Sequence, residues 1–218
     1  MLLQNGDRIV FTGDSITDCG RAYPIGEDSF GGLGTGYVNM MHSLINAFYP
    51  EITIRITNTG VSGNNILHLE SRWETDVMDL KADWVSVMIG INDVWRQFNS
   101  SDLYDMHITP EVYEDKYRRL IERTLPQVKG MILATPYYME PNRSDWMRKR
   151  MDEYGAIVKK LSEEYGLCFI NVQEAFDSYL DIRHTTSISM DRIHPNQIGS
   201  VLIAKKFLNG LGFDRIFK

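Results

Sequence analysis

Three residues far apart in the chain have the side-chain types of a hydrolytic triad. Asp191 and His194 stand three residues apart, and Ser15 follows the short apolar run 8–11. A serine hydroxyl is a poor nucleophile until a histidine takes its proton, and the histidine works well only when a carboxylate fixes its tautomer. One tight turn can bring a carboxylate to an imidazole three residues away. The sequence therefore predicts Ser15 as nucleophile, His194 as general base and Asp191 as its orienting carboxylate.

Candidate donors for an oxyanion follow three runs that are typical of strands. Ser15, Gly63 and Asn92 each come shortly after such a run. A tetrahedral intermediate carries a new oxyanion, and removing one preorganised donor lowers the rate by about 10²–10³. Gly63 suits this role because a residue without a side chain lets a substrate approach the main chain closely. We therefore predict an oxyanion hole made of the backbone N–H groups of Ser15 and Gly63 and the side-chain amide of Asn92.

The elements that must position these residues alternate along the chain. Short runs rich in Val, Ile and Phe predict buried strands, and apolar residues at three- and four-residue spacing predict helices. The alternation predicts a three-layer α/β/α fold, flavodoxin-like in class, with a five-stranded parallel sheet between helices. Loops at the carboxyl ends of the strands build the site in such a sheet. The predicted strands are 8–11, 52–57, 84–89, 130–134 and 168–172; the predicted helices are 37–48, 66–80, 110–125, 144–165 and 197–208; the irregular stretches are 21–36, 99–107, 137–143 and 177–191.

Composition limits the class of protein. With 218 residues, 43% of them hydrophobic, the chain suits a single domain over 1–218. Its 29 acidic and 23 basic side chains give a net charge of −6, which disfavours nucleic acid as a partner. We expect no membrane span and a cytoplasmic location, because the start lacks a secretion signal and Cys19 and Cys168 are most simply free thiols. Eleven Met and eleven Tyr residues favour a homo-oligomer of unknown order.

The candidate residues also lie in motifs that resemble a known superfamily. Ser15 in Gly-Asp-Ser, Gly63 in a second block, Asn92 in Gly-Ile-Asn-Asp and His194 in Asp-Arg-Ile-His-Pro resemble, in order, the four blocks of the SGNH or GDSL hydrolases. The resemblance covers nearly the whole chain. It implies the SGNH hydrolase fold, and it implies the same roles for Ser15, Asp191 and His194 and the same three oxyanion donors.

Three longer segments resemble the intracellular acetylxylan esterases of bacteria. These segments are 13–21, 33–38 and 88–97. The resemblance implies removal of acetyl groups from xylo-oligosaccharides without a cofactor. The alternatives are an esterase or lipase for other O-acetylated sugars or short-chain esters, and a non-enzymatic carbohydrate-binding protein on the same fold.

Several residues have competing interpretations. Ser15 could cap the helix that follows the first strand, since serine favours that position. Asp14 and Asp93 resemble a second carboxylate pair, but we expect each to accept loop N–H bonds beside a catalytic residue. Trp95 could contact a sugar ring, form a wall of the acyl pocket or pack in the core, and the sequence leaves these open.

No cofactor or metal is predicted. The glycines of the run 31–36 lack the spacing of a dinucleotide- or phosphate-binding loop, so a tight loop before the helix at 37–48 is the simpler interpretation. The remaining histidines are scattered singly, without metal-ligand spacing; they are His42, His68, His107 and His184.

Overall fold

Five parallel strands form one sheet in the computed structural model, which describes residues 1–27, 30–99 and 107–217. The strand order is β2-β1-β3-β4-β5, and every neighbouring pair is parallel. The sheet confirms the predicted class and strand number. The strands are β1 Arg8–Gly13, β2 Arg55–Asn58, β3 Trp84–Met88, β4 Gly130–Ala134 and β5 Cys168–Ile170.

Helices cover the sheet in two groups. α2 packs on α9 and α9 on α8, whereas α6 packs on α3 and α7, and α7 also packs on α5. None of the helices in the described ranges has the length and apolarity that a bilayer crossing requires. The helices are α1 Ser15–Asp18, α2 Tyr37–Phe48, α3 Ile66–Ser71, α4 Trp73–Asp76, α5 Ile91–Asn99, α6 Pro110–Thr124, α7 Trp146–Glu164, α8 Val172–Leu180 and α9 Gln197–Gly210.

The central strands are buried on both faces, which explains their near-continuous apolar runs. In β3 and β4 every residue is buried, and β1 is buried after Arg8. Phe11 of β1 makes edge contacts with Tyr37 of α2 and Phe207 of α9, and these two rings stack on each other. The aromatic cluster fixes α2 and α9 against one face of the sheet.

The prediction of one continuous helix over 66–80 is wrong, because the structure divides this segment into shorter elements. α3 ends at Ser71, α4 begins at Trp73, and a 3₁₀ turn follows at Met78–Leu80. Arg72 between them has φ −105° and ψ 6°, outside the helical region. The apolar spacing of the segment continues through the break, so periodicity alone could not reveal it.

Other boundaries also differ from the predictions. β2 begins at Arg55 rather than 52, and β5 ends at Ile170, after which Asn171 caps a helix that the sequence analysis missed. That helix, α8, continues into the predicted irregular stretch 177–191. Most of the irregular stretch 99–107 lies outside the described residues.

The loop after α1 covers part of the sheet edge. Gly26 and Asn58 form an antiparallel bridge, with N–H to O distances of 2.9 and 2.8 Å. Asn58 is the last residue of the edge strand β2, so the bridge satisfies main-chain groups that would otherwise face outward.

Candidate active site

Three adjacent strand ends bring the predicted residues to one edge of the sheet. β2, β1 and β3 are neighbours and run in the same direction, so the loops that follow them lie side by side. Ser15 begins α1 after β1, Gly63 lies in the loop after β2, and Asn92 is the second residue of α5 after β3. The fold therefore places all three at the carboxyl edge of the sheet.

Ser15, His194 and Asp191 form a continuous hydrogen-bonded chain. Ser15 Oγ lies 2.9 Å from His194 Nε2, and His194 Nδ1 lies 2.6 Å from Asp191 Oδ2. A hydroxyl, an imidazole and a carboxylate in this order can move a proton from the oxygen to the ring and stabilise the resulting imidazolium. The geometry brings together the three residues that the sequence analysis singled out, although they span 179 positions.

The turn that carries Asp191 and His194 is held by its own carboxylate. Asp191 Oδ1 accepts the backbone N–H groups of Ile193 and His194 at 2.9 and 2.8 Å. Partial burial acts to raise the pKa of Asp191, but the bonds from His194 and Ile193 outweigh it and lower the pKa to about 2. The carboxylate is therefore ionised throughout the neutral pH range.

Neighbouring residues anchor this turn to the core. Tyr137 donates its hydroxyl to the carbonyl of Ile193 at 3.2 Å, and Met139 N–H donates to the carbonyl of Arg192 at 2.9 Å. Arg192, between Asp191 and Ile193, adopts a left-handed φ of 66°. Tyr137 and Met139 are buried, so the turn that carries the exposed His194 is attached to the rigid core.

Ser15 is the first residue of α1 and not its cap. Asp14 occupies the cap position, and its Oδ1 accepts the N–H of Ile16 at 3.0 Å. The alternative interpretation of Ser15 as an N-cap is therefore wrong. The Ser15 hydroxyl is left to interact with His194.

The two other candidate oxyanion donors lie on linked loops. Asn92 is buried, and its Nδ2 donates to the carbonyl of Asn64 at 2.9 Å. Since an amide nitrogen carries two hydrogens, this bond orients the group and leaves a second donor. Gly63 is exposed with φ +81°, and a Cβ built on it would have no atom within 4 Å. The main chain at Gly63 is thus open to an approaching ligand.

Comparison with known proteins identifies the family of this chain. Residues 11–202 match the GDSL-like lipase/acylhydrolase family. The chain belongs to this family. It is 47% identical over 214 residues, 98% of each sequence, to an acetylxylan esterase of Geobacillus stearothermophilus.

Solved structures of related proteins have the same fold. The structure of a catalytic mutant, S15A, of Axe2, an acetylxylan esterase from Geobacillus stearothermophilus, superposes with a TM-score of 0.98 at 46% identity over 100% of both chains. That of LAE5, an α/β hydrolase from the metagenome of Lake Arreo, gives a TM-score of 0.95 at 47% identity, covering 97% of this chain and 98% of LAE5. Two further Axe2 structures are described as catalytic mutants, H194A and D191A.

Two buried carboxyl groups of this GDSL-like chain, those of Asp14 and Asp93, are next in sequence to Ser15 and Asn92. Asp93 accepts the N–H of Ile66 at 3.0 Å, as Asp14 does that of Ile16, so both make the loop bonds that the sequence analysis expected. Burial raises the pKa of each carboxyl to about 7, and the charge of Asp93 contributes to the shift at Asp14. Within the described ranges, Asp93 Oδ2 is buried without a hydrogen-bond partner.

Trp95 lies beside His194. The two ring centroids are 6.2 Å apart at 75°, an edge-to-face arrangement, and Trp95 is half-buried against the core. The guanidinium of Arg96 lies 5.3 Å from the Trp95 ring. Trp95 therefore borders the site, and its contact with substrate stays a prediction.

The remaining candidates have structural roles where the structure describes them. His68 is part of a capping box with Asn65 at the start of α3, and the His184 side chain accepts the N–H of Thr186. The glycine-rich run 31–36 leads into α2, with Gly36 at its cap. This is the tight loop that the sequence analysis favoured over a cofactor site.

Sequence reasoning missed two charged residues that tie the site loops together. Arg72 donates to the carbonyls of Gly13 and Thr59 at 2.8 and 2.7 Å, which joins the loops after β1 and β2. Asp18 at the end of α1 accepts bonds from the loop after β2. Asp18 lies within the recognised segment 13–21, but Arg72 sits in a helical pattern that gives no signal of this contact.

Proposed function

We propose that this chain is a serine esterase that removes O-acetyl groups from xylo-oligosaccharides through an acyl-enzyme. The observation that carries the proposal is the hydrogen-bonded chain from Ser15 Oγ through His194 to Asp191, at 2.9 and 2.6 Å. Its support for the substrate is the 47% identity to an acetylxylan esterase over nearly the whole chain. The catalytic mutants of Axe2 alter a serine, a histidine and an aspartate with the same numbers as these three residues.

The geometry suggests the following steps. Ser15 Oγ attacks the acetyl carbonyl carbon while His194 Nε2 takes its proton, and the ionised Asp191 stabilises the imidazolium. The bond from the carbonyl carbon to the sugar oxygen then breaks, and His194 returns the proton to that oxygen. His194 then deprotonates a water that attacks the acetyl group on Ser15. The bond from the carbonyl carbon to Ser15 Oγ breaks, His194 returns the proton to Oγ, and acetic acid leaves and ionises to acetate.

We propose that three donors stabilise the oxyanion in both tetrahedral intermediates. They are the N–H groups of Ser15 and Gly63 and the Nδ2 of Asn92. The open main chain at Gly63 and the oriented amide of Asn92 support this assignment. Such donors act where charge develops, so their main effect is on kcat.

Trp95 is proposed to border the acyl group. Its edge-to-face contact with His194 places a large apolar ring beside the base, where it would limit the length of the acyl chain. Trp95→Ala should then raise activity on butanoyl esters relative to acetyl esters. An unchanged preference between butanoyl and acetyl esters would indicate that Trp95 only packs against its neighbours.

The experiment that tests the activity is acetate release from acetylated xylo-oligosaccharides, beside other acetylated sugars and an ester series from acetyl to octanoyl. We expect preference for the xylo-oligosaccharides and a loss of about 10⁶ in kcat in Ser15→Ala. Ser15-dependent activity on the other substrates alone would support the triad mechanism but contradict xylo-oligosaccharides as the substrate. No Ser15-dependent turnover, and no labelling of Ser15 by a fluorophosphonate, would favour a carbohydrate-binding protein.

Self-association and an intracellular location complete the proposal. Several large apolar side chains are exposed, among them Trp146 at 80%, Ile182 at 82% and Met190 at 89%, and such side chains favour contact with a second copy. Light scattering on the purified protein tests this. The free thiols of Cys19 and Cys168 support a reducing compartment, which fractionation of the source cells would check.

A further inference from the structure

One short helix carries both the nucleophile and a buried carboxylate. α1 begins at Ser15 and ends at Asp18, so the two residues are one turn apart. Backbone bonds close both ends of this turn, from Asp18 N–H to the carbonyl of Asp14 at 2.9 Å and from Cys19 N–H to that of Ser15 at 3.0 Å. The main chain of Asp18 is therefore fixed relative to Ser15.

The Asp18 carboxylate holds the residue directly before Gly63. Asp18 Oδ2 accepts the backbone N–H of Ser62 at 3.0 Å and its hydroxyl at 2.7 Å, and it also accepts the hydroxyl of Tyr23 at 2.9 Å. Only 4% of Asp18 is exposed. Hydrogen bonds to an ionised acceptor are about twice as strong as neutral ones, so two of them on one residue restrict Ser62 strongly.

The rest of the loop packs closely on the same helix. A Cβ on Gly60 would lie 2.3 Å from the backbone nitrogen of Asp18, so the main chains touch at this point. Asn58 Nδ2 donates to the carbonyl of Thr17 at 2.7 Å, and Arg21 Nε donates to that of Gly60 at 2.8 Å. These contacts hold the base of the loop, whereas Asp18 alone among them reaches Ser62 near its tip.

The charge state of Asp18 fits this function. Burial acts to raise the pKa of the carboxyl, but the hydrogen bonds from Ser62 and Tyr23 outweigh it, and the pKa is lowered. The group is thus an anionic acceptor at neutral pH.

We propose that Asp18 is a positioning residue for the oxyanion hole: by holding Ser62, its carboxylate fixes the N–H of Gly63 relative to Ser15. This inference rests on the proposed esterase function. The peptide that links Ser62 to Gly63 contains that N–H, so a change in Ser62 rotates the donor. Since an oxyanion exists only during reaction, loss of Asp18 should affect kcat much more than KM.

The first test compares variants of Asp18, Ser62 and Tyr23 on phenyl acetate, a small acetyl ester with a good leaving group. Asp18→Ala should lower kcat by about 10–100-fold, a part of the loss for a whole donor, with KM within about threefold. Ser62→Ala removes only the hydroxyl bond and should give a smaller loss. Tyr23→Phe removes a bond to the same oxygen without touching the loop, and it should change kcat by less than about twofold.

A thionoester separates positioning from general damage to the fold. In a thionoester, sulfur replaces the carbonyl oxygen, so the tetrahedral intermediate has a sulfur anion in place of the oxyanion. Because sulfur accepts hydrogen bonds poorly, the ratio of kcat/KM for phenyl acetate to that for phenyl thionoacetate depends on the oxyanion donors. This ratio should fall in Asp18→Ala and Ser62→Ala and stay constant in Tyr23→Phe. A shift in the circular dichroism melting curve of Asp18→Ala would reveal general damage to the fold, and Ser62→Ala then carries the comparison.

The outcomes separate the two proposals. Parent activity that depends on Ser15, together with an unchanged ratio in both Asp18→Ala and Ser62→Ala, would overturn the positioning role and leave the esterase proposal standing. A parent without Ser15-dependent turnover of phenyl acetate would overturn both.

Discussion

Asp93 should make this protein less stable as the pH rises from about 4 to 7. Its pKa is raised by burial from 3.8 to about 7. Over this interval the folded chain keeps a proton that the unfolded chain has released, so the folded state binds more protons and the free energy of unfolding falls with rising pH. Asp14, whose pKa is also raised to about 7, acts in the same direction.

The magnitude follows from the shift. A difference of about 3 pKa units, at about 1.4 kcal/mol per unit, gives on the order of 4 kcal/mol that Asp93 removes from the stability above pH 7. Asp93→Asn keeps an oxygen to accept the N–H of Ile66 and has no charge to desolvate. This variant should therefore gain stability relative to the parent as the pH rises, by up to this amount. Loss of the Asp93 charge should also make the upward shift of the Asp14 pKa smaller.

Urea unfolding at pH 5, 6, 7 and 8 measures the effect as a difference between the two proteins. The free energy of unfolding of Asp93→Asn minus that of the parent should increase with pH, at an unchanged m value. Asp79→Asn, which removes one carboxyl at an exposed position, is the matched control. Parallel curves for Asp93→Asn and the parent would refute the reasoning, because they would mean that the buried carboxyl is already ionised at pH 5.

Four further substitutions test the site and its packing. Asn92→Ala should lower kcat on phenyl acetate by about 10²–10³ with little change in KM, and a rise in KM alone would identify a binding residue instead. Asp191→Asn should lower kcat by about 10⁴ because the tautomer of His194 is no longer fixed, and steady-state kinetics showing a loss below tenfold would contradict a triad. Gly60→Ala should destabilise the fold by about 1–3 kcal/mol in urea, since its Cβ would lie 2.3 Å from a backbone nitrogen. Gly155→Ala, whose Cβ would lie 3.8 Å from its nearest neighbour in the middle of α7, should instead stabilise the fold, by up to about 1 kcal/mol, and equal effects at both glycines would count against the close contact.

The features that sequence could predict are those in which a local pattern and the global fold agree. β1, β3 and β4 are buried on both faces, so their apolar runs stand out. Ser15 and His194 were found because each lies in a short motif next to such a strand or in a tight turn. Their contact could be inferred from chemistry alone, and the distance between Oγ and Nε2 agrees.

The features that sequence could not predict depend on polar contacts between distant segments. α5 has apolar residues at the helical spacing 91, 94, 95 and 98, which the sequence analysis overlooked, but the burial of the polar Asn92 and Asp93 in it depends on bonds to the loop after β2. Arg72, at the break between α3 and α4, donates to the carbonyls of Gly13 and Thr59, and no local pattern indicates these bonds. The bonds from Ser62 to Asp18 likewise exist only once the loops have come together.

The bridge between Gly26 and Asn58 has a consequence for how copies of this chain can meet. An edge strand with free main-chain groups is a template on which another chain can add a strand. At the end of β2 those groups are already bonded to the loop, and at the opposite edge β5 is only three residues long. Lateral growth of the sheet is thereby discouraged at both edges, so any contact between copies of this chain should use side chains on the helical faces. Substitutions of those side chains could then change the contact between copies without disturbing the sheet.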